Sequence, residues 1–282
     1  MSAAADSVCR AMTDDGTFRV VTARTTSTVR GALAKQGVKG ETARYFGDLL
    51  TGVVLTRLTM APQLRVQGIL RGTGRSGTLV ADSHPTGRTR GLVSAENSSL
   101  ALGPGSLLRM MRTLHDGRLH QGVVEVPAAG ISEALMAYME VSEQVTTMIA
   151  VGTVFGEEGV VSAGGYLVQL LPGAERGPVM VMSERLQEFR TIDDRLADPA
   201  FSPATLMDEL LYAMPFTMLG ESDVRFECWC SHLSVLSALA TLPRSEVQSM
   251  IDAGEVLEIS CDYCTQEYKI APQELKGLLS AS

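Results

Sequence analysis

Apolar positions along this chain recur with two different periods, and the switches between them predict its elements. From Glu41 to Leu58 (ETARYFGDLLTGVVLTRL), Phe46, Leu49, Leu50, Val53, Val54 and Leu58 fall on one helical face. Gly47 and Gly52 weaken that helix slightly. Thr17–Ala23 is rich in β-branched residues and reads as a strand, with a helical stretch following over Ser27–Gln36. From Gln63 to Val126 short apolar segments alternate with Gly-rich turns, which predicts an antiparallel meander. Ile131–Glu143 returns to the helical period, with Ser132 placed to cap it and Glu133 in its first turn. Val145–Val151 and Gly165–Leu171 read as strands. The order lacks the regular βαβ alternation of a parallel sheet, so the predicted class is α+β, an N-terminal mixed α/β domain built on antiparallel sheet.

Near Val181 the pattern changes. Leu186, Phe189, Ile192 and Leu196 form one helical stripe. Ser202-Pro203 is a helix start, because Ser caps and Pro suits the first turn. Leu206, Leu210, Leu211 and Met214 then form a second stripe. Residues 182–225 are therefore expected to be a helical connector, too apolar for a solvated linker. Such a segment must rest on the N-terminal sheet or on the C-terminal piece, and becomes sticky when released. The expected domains are 1–181, the connector 182–225, and a small C-terminal domain 226–282.

Composition narrows the class. Of 282 residues, 45% are hydrophobic and 20% charged, as in a globular core, which excludes whole-chain disorder. No apolar run approaches the ~20 residues of a membrane span, and MSAAADSVCR lacks a basic start followed by an apolar stretch. The expectation is a cytoplasmic protein without a membrane partner. The net charge of −8 is uneven: residues 1–180 sum to +2 and residues 181–282 to −10. An acidic C-terminal third disfavours nucleic acid as a partner, since phosphate binding needs clustered Lys and Arg.

Most candidate motifs are weak. Gly72, Gly74 and Gly77 have the G-x-G-x-x-G spacing, but the following Thr78-Leu79-Val80-Ala81 reads as a strand where a dinucleotide site needs a helix, so a hairpin turn is expected. Of the histidines His84, His115, His120 and His232, none pairs with another at catalytic or metal spacing. His84 and His115 sit in turn-like settings, and His232, two residues past Cys230, is expected to be a bystander. Cys9 reads as a free thiol near a mobile terminus. No catalytic motif emerges, and the chain is expected not to be an enzyme.

The four remaining cysteines fall in two close pairs, Cys228-Trp229-Cys230 and Cys261-Asp262-Tyr263-Cys264, with the 30 residues 231–260 between them. An odd total of five without a signal peptide argues against a secreted disulfide scaffold. Two short arms joined by a helical insert supply a tetrahedral thiolate set for one zinc ion. A thioredoxin-like role for the C-x-x-C would leave the C-x-C unexplained. A zinc-ribbon module recognising nucleic acid or a protein partner is the alternative reading, and the acidic charge balance counts against the first of these.

With these residues in view, the sequence resembles the heat shock protein 33 family of redox-regulated bacterial chaperones over nearly its whole length. FECWCS at 226–231 and CDYC at 261–264 carry the resemblance, with YMEVSEQV at 138–145, SAGGYLVQLLP at 162–172 and LPRSEV at 242–247. It departs from the family after the C-x-C arm, where Ser231-His232-Leu233-Ser234 replaces a commonly basic stretch. The resemblance implies that Cys228, Cys230, Cys261 and Cys264 hold one Zn²⁺ in a reduced, inactive chain. It implies oxidation to the disulfides Cys228–Cys230 and Cys261–Cys264, with zinc release and unfolding of the C-terminal domain and connector. Closing the shortest loops favours the same pairing. The implied product is an ATP-independent holdase for unfolding client proteins, often a homodimer. The connector residues Leu186, Phe189, Ile192, Leu206, Leu210 and Met214 are the candidate client-binding surface.

Overall fold

The computed structural model describes residues 5–94, 99–114, 117–127 and 130–280. The chain forms two compact units, Met1–Glu227 and Cys228–Ser282.

The larger unit contains two sheets. The first has the order β10-β1-β2-β9-β8, from β1 (Ser7–Thr13), β2 (Phe18–Arg24), β8 (Thr147–Gly156), β9 (Gly159–Leu170) and β10 (Phe216–Asp223). The second has the order β11-β5-β4-β3-β6-β7, from β3 (Val66–Arg71), β4 (Thr78–Ser83), β5 (Arg88–Ser94), β6 (Leu107–Thr113), β7 (Leu119–Glu125) and β11 (Arg225–Phe226). All neighbours pair antiparallel except β11 with β5.

Helix α1 (Thr26–Gln36), α2 (Gly40–Leu58) and α3 (Ile131–Val141) join both sheets in one core. The predicted apolar face of α2 is wider than a stripe: Thr42, Ala43 and every residue from Phe46 to Arg57 are buried, as a helix enclosed on all sides requires. Its glycines are contact points. A Cβ on Gly47 would lie 2.4 Å from Thr153 Oγ1, and one on Gly52 would lie 2.2 Å from Leu135 Cδ1.

A second core lies on the other face of the first sheet. There Cys9, Ala11, Phe18, Val20, Ala150, Tyr166 and Val168 are covered by α4 (Arg176–Glu188), α5 (Asp193–Ala197) and α6 (Pro203–Leu210) with their flanking residues. Ser202 caps α6 as expected, accepting from the Thr205 N–H at 3.1 Å.

Several expectations need correction. The segment 182–225 is not helical throughout. It starts inside α4, ends at the first residue of β11 and contains the whole of β10, which pairs with β1 from Ser7 opposite Asp223 to Thr13 opposite Phe216. Cys9 is not on a mobile terminus; it is 2% exposed within β1, between two hydrogen-bonded neighbours. Residues 63–126 are not a simple meander, since β6 returns to pair with β3. Ser132 does not cap α3: Gly130 holds that position, and the Ser132 hydroxyl accepts from the Val151 N–H at 3.1 Å. The glycine motif at 72–77 is a turn between antiparallel β3 and β4, as expected.

The smaller unit contains α7 (His232–Leu239), α8 (Arg244–Ala253), the hairpin β12 (Leu257–Ser260) and β13 (Glu267–Ile270), and α9 (Pro272–Ser280). Its core centres on Leu239, Val247, Ile251, Ile270 and Leu275. Five such side chains are few for an independently stable domain.

Candidate metal centre

Both cysteine arms are shaped by local backbone chemistry. Cys228 and Cys230 lie just before α7. Ser231 is the N-cap of that helix, its side chain accepting from the Ser234 N–H at 3.1 Å while the Ser231 N–H donates to Ser234 Oγ at 2.8 Å. Ser231-His232-Leu233-Ser234 is thus a reciprocal cap fixing the exit of the first arm. Cys261 and Cys264 occupy the turn between β12 and β13. The Cys264 and Thr265 N–H groups both donate to the Cys261 carbonyl, at 3.3 and 2.7 Å, and Thr265 takes a left-handed φ of 60°.

The two arms bring their four sulfurs to within 4.8 Å of one another. Cys228 Sγ lies 3.8 Å from Cys261 Sγ, and Cys230 Sγ lies 3.4 Å from Cys264 Sγ. A tetrahedron of Zn–S bonds near 2.3 Å has edges of about 3.8 Å, close to the 3.8 and 3.4 Å separations of these two pairs. The four cysteines are positioned to hold a metal ion.

Without an ion, the cluster disfavours thiolates. Burial raises the Cys261 thiol, and burial with the neighbouring cysteine side chains pushes the Cys264 thiol up to about 12. A divalent ion inverts that preference, because it stabilises the thiolates that the bare cluster disfavours. Tyr268 on β13 donates its hydroxyl to Cys230 Sγ at 3.0 Å, and this bond is the main reason its own pKa rises to about 12. Sequence reading missed this contact, whose one signal was an aromatic in the strand after the second arm. His232 stands outside the sulfur cluster, as expected, with Nε2 bonded to the Glu274 carboxylate.

The other expected sites are placed as follows. Phe189, Ile192, Leu206 and Leu210 are buried in the second core, and Leu186 and Met214 pack against it. The structure therefore brings all six together on the first sheet, four of them buried and Leu186 and Met214 partly exposed. Polar bonds hold the layer down: Thr22 Oγ1 donates to the Pro203 carbonyl at 2.7 Å, Tyr166 to the Phe189 carbonyl at 2.9 Å, and Arg24 to the Phe201 carbonyl at 3.2 Å. Phe189 also meets Tyr166 edge-on at 6.2 Å, with the Arg195 guanidinium 3.7 Å above its ring. His84 lies in the β4–β5 turn with Nδ1 2.9 Å from Thr86 Oγ1, and His115 lies outside the described residues. No helix among the described residues is long and apolar enough to cross a membrane.

An α+β unit followed by a small unit with a four-cysteine cluster defines a two-unit protein equipped to bind a metal ion. The family model described as Hsp33 protein matches residues 6–271, and the chain belongs to the Hsp33 family of chaperones. It is 29% identical to the 33 kDa chaperonin of Syntrophotalea carbinolica, over 98% of this chain and 99% of the relative. It is 25% identical to that of Bacillus mycoides, over 97% and 98%. The crystal structure of the 33 kDa chaperonin (heat shock protein 33 homologue) of Thermotoga maritima superposes with a TM-score of 0.83, covering 99% of each chain at 22% identity, a likeness of fold.

Proposed function

We propose that this chaperone is a redox-controlled, ATP-independent holdase. The carrying observation is the clustering of the Cys228, Cys230, Cys261 and Cys264 sulfurs within 4.8 Å of one another inside a unit with a very small core. Zinc, when bound, cross-links the two arms as thiolates. Structural zinc contributes roughly 10–16 kcal/mol to folding, comparable with or above the ~5–15 kcal/mol of a whole domain. The folded small unit and its metal therefore stand or fall together.

Oxidation withdraws the ligands. Forming Cys228–Cys230 and Cys261–Cys264 removes four electrons in all, two for each S–S bond. With peroxide as oxidant, each pair of thiolates consumes one peroxide and two protons from solvent, giving one disulfide and two waters. All six edges of the sulfur cluster lie within 4.8 Å, so native proximity does not choose among pairings. Once the arms separate, the shortest loops close most readily. The arms then cannot hold a metal and residues 226–282 unfold.

In this reading residues 1–181 remain as the folded core, and the connector 182–225 is the responsive part. Leu186, Phe189, Ile192, Leu206, Leu210 and Met214 leave the second core and bind unfolding client proteins, with burial worth about 25 cal/mol per Å². The active form is a cytoplasmic homodimer, catalyses no reaction, and takes neither nucleic acid nor membrane as partner. The net −10 of residues 181–282 keeps the opened form soluble.

Metal content and free thiols, counted before and after peroxide or hypochlorous acid, test the reading alongside suppression of client aggregation. The expected result is one zinc and four protected thiols per reduced chain, lost together as aggregation suppression appears. Full suppression by the reduced, zinc-loaded chain would overturn it.

A further inference from the structure

Among the described residues of the larger unit, most buried carboxylates have a remedy for their charge: Asp6 accepts from the Ser27 and Thr28 N–H groups and the Thr28 hydroxyl. Asp82 is 0% exposed and is met by Arg65 and Arg90. Asp48 is buried with its carboxyl raised to about 7, chiefly by that burial, so it can shed its charge by taking a proton. Arg57 has neither remedy. It is 5% exposed, and its one side-chain hydrogen bond among the described residues runs from Nε to Ser83 Oγ at 3.0 Å. Burial and the nearby Arg10 pull its pKa down to about 10, which leaves it a cation at neutral pH.

Arg10 compounds the imbalance. On β1 it alternates with Cys9 and Ala11, which face the second core, so it shares the side of Val8 and points between the sheets. Its Nε is buried without a hydrogen-bond partner. Among the described residues neither Arg10 nor Arg57 makes an ion pair. Both line a cavity of about 350 Å³ with Thr86, Ser222, Asp223 and Arg225. Arg225 is already matched by Glu227 at 2.6 Å, and Asp223 is the one carboxylate in the wall. The C-terminal end of α2 adds roughly half a negative charge, less than the two guanidiniums. The opposing residue on β10, Gly220, has a φ of +146°, and a Cβ there would approach Arg10 Nη2 to 3.3 Å.

We propose that Arg10 and Arg57 form a binding site for a phosphate-class oxyanion in the cavity between the end of α2, the β4–β5 turn and β10. Forked guanidinium donors match the oxygens of a phosphoryl group in a bidentate way, and the low-dielectric setting strengthens each bond. A bound anion supplies the counter-charge that the fold leaves out. It also ties residues 222–225 of the connector to α2, so occupancy favours the docked form. The site is independent of the cysteine chemistry.

The test is calorimetric titration of the full-length reduced, zinc-loaded chain with inorganic phosphate, diphosphate and AMP, at ionic strength matched with potassium chloride. Saturable binding of at least one of them at one site per chain is expected. Arg10→Gln should weaken it about ten- to hundredfold, the range for a lost charge-assisted bond. Arg10→Lys keeps the charge without the fork and should fall between. Should Arg10→Gln not fold, Arg10→Lys alone decides the matter. Tighter binding of the inorganic ions identifies a free-anion site, and tighter binding of AMP identifies a site for a phosphomonoester on a larger molecule. No saturable binding by the parent chain, or titrations unchanged in the folded Arg10 variants, overturns the proposal.

Discussion

Leu210 is the most informative place to loosen the connector. It is fully buried at the end of α6, and α6 lies over β1, whose Cys9 belongs to the same core. Leu210→Ala removes three buried carbons and leaves a cavity, a change that costs about 2–5 kcal/mol in well-packed cores. Taking ~3 kcal/mol, the undocked population of α6 rises about 150-fold. Cys9 reports it, because burial holds its thiol above the ordinary value and out of contact with reagent while α6 is seated. The assay is carboxamidomethylation of Cys9 by iodoacetamide in the reduced, zinc-loaded protein, read by peptide mass over a urea series. Local undocking predicts a labelling rate that climbs about a hundredfold in Leu210→Ala and depends only shallowly on urea, since little surface is exposed. The same variant should suppress client aggregation partially without oxidant. If Cys9 labelling instead follows the full urea dependence of global unfolding in both proteins, α6 does not open on its own and the connector is not the moving part.

Other perturbations test separate parts of the structure. Tyr268→Phe deletes the hydroxyl bonded to Cys230 Sγ; loss of such outer partners typically lowers metal affinity about 10–100-fold, measurable by competition with a chromophoric chelator, and an unchanged affinity would remove Tyr268 from the site. Asp48 gives a pH signature. Burial holds its folded pKa near 7, whereas an unfolded Asp titrates near ~3.9. Between these values the folded chain keeps the proton and the unfolded chain has lost it, so this group makes stability fall as pH rises from about 4 to 7, by at most ~1.4 kcal/mol per pH unit. Asp48→Asn should cancel the slope, matching the parent near the acid end and exceeding it at pH 8 in urea midpoints; an offset independent of pH would contradict this. Ser231→Ala removes the cap on the first cysteine arm and should cost about 1 kcal/mol, seen as a lower midpoint for zinc-linked unfolding of the small unit.

The sequence was most legible where partners are close along the chain. The four cysteines form two short arms, and the tetrahedral set could be read without knowing the fold. Helix α2 was equally open, its apolar residues repeating over five turns. Long-range pairing was not legible. β1 (SVCRAMT) and β10 (FTMLGESD) have too little alternation to announce themselves, and their pairing spans some two hundred residues. Nothing near Arg10 says that its side chain faces inward, because that depends on which side of β1 the sheet buries. Ser132 looked like a cap by type and position, yet a neighbouring strand competes for its hydroxyl. Turn chemistry, by contrast, transferred well: Ser202-Pro203 starts α6, and the 72–77 glycines form a hairpin connection.

The union of β1 with β10 also sets a schedule for biosynthesis. At about 5–20 residues per second, the ribosome takes roughly 10–40 s to travel from Arg10 to its partner Gly220. Through that interval β1 has one unpaired edge, and the sheet face that α4–α6 later cover stands open to the surrounding solution. An unpaired edge beside an uncovered apolar face is an invitation to aggregate. The nascent chain of this chaperone thus displays, on its way to being folded, the kind of surface that its finished form is built to shelter in others.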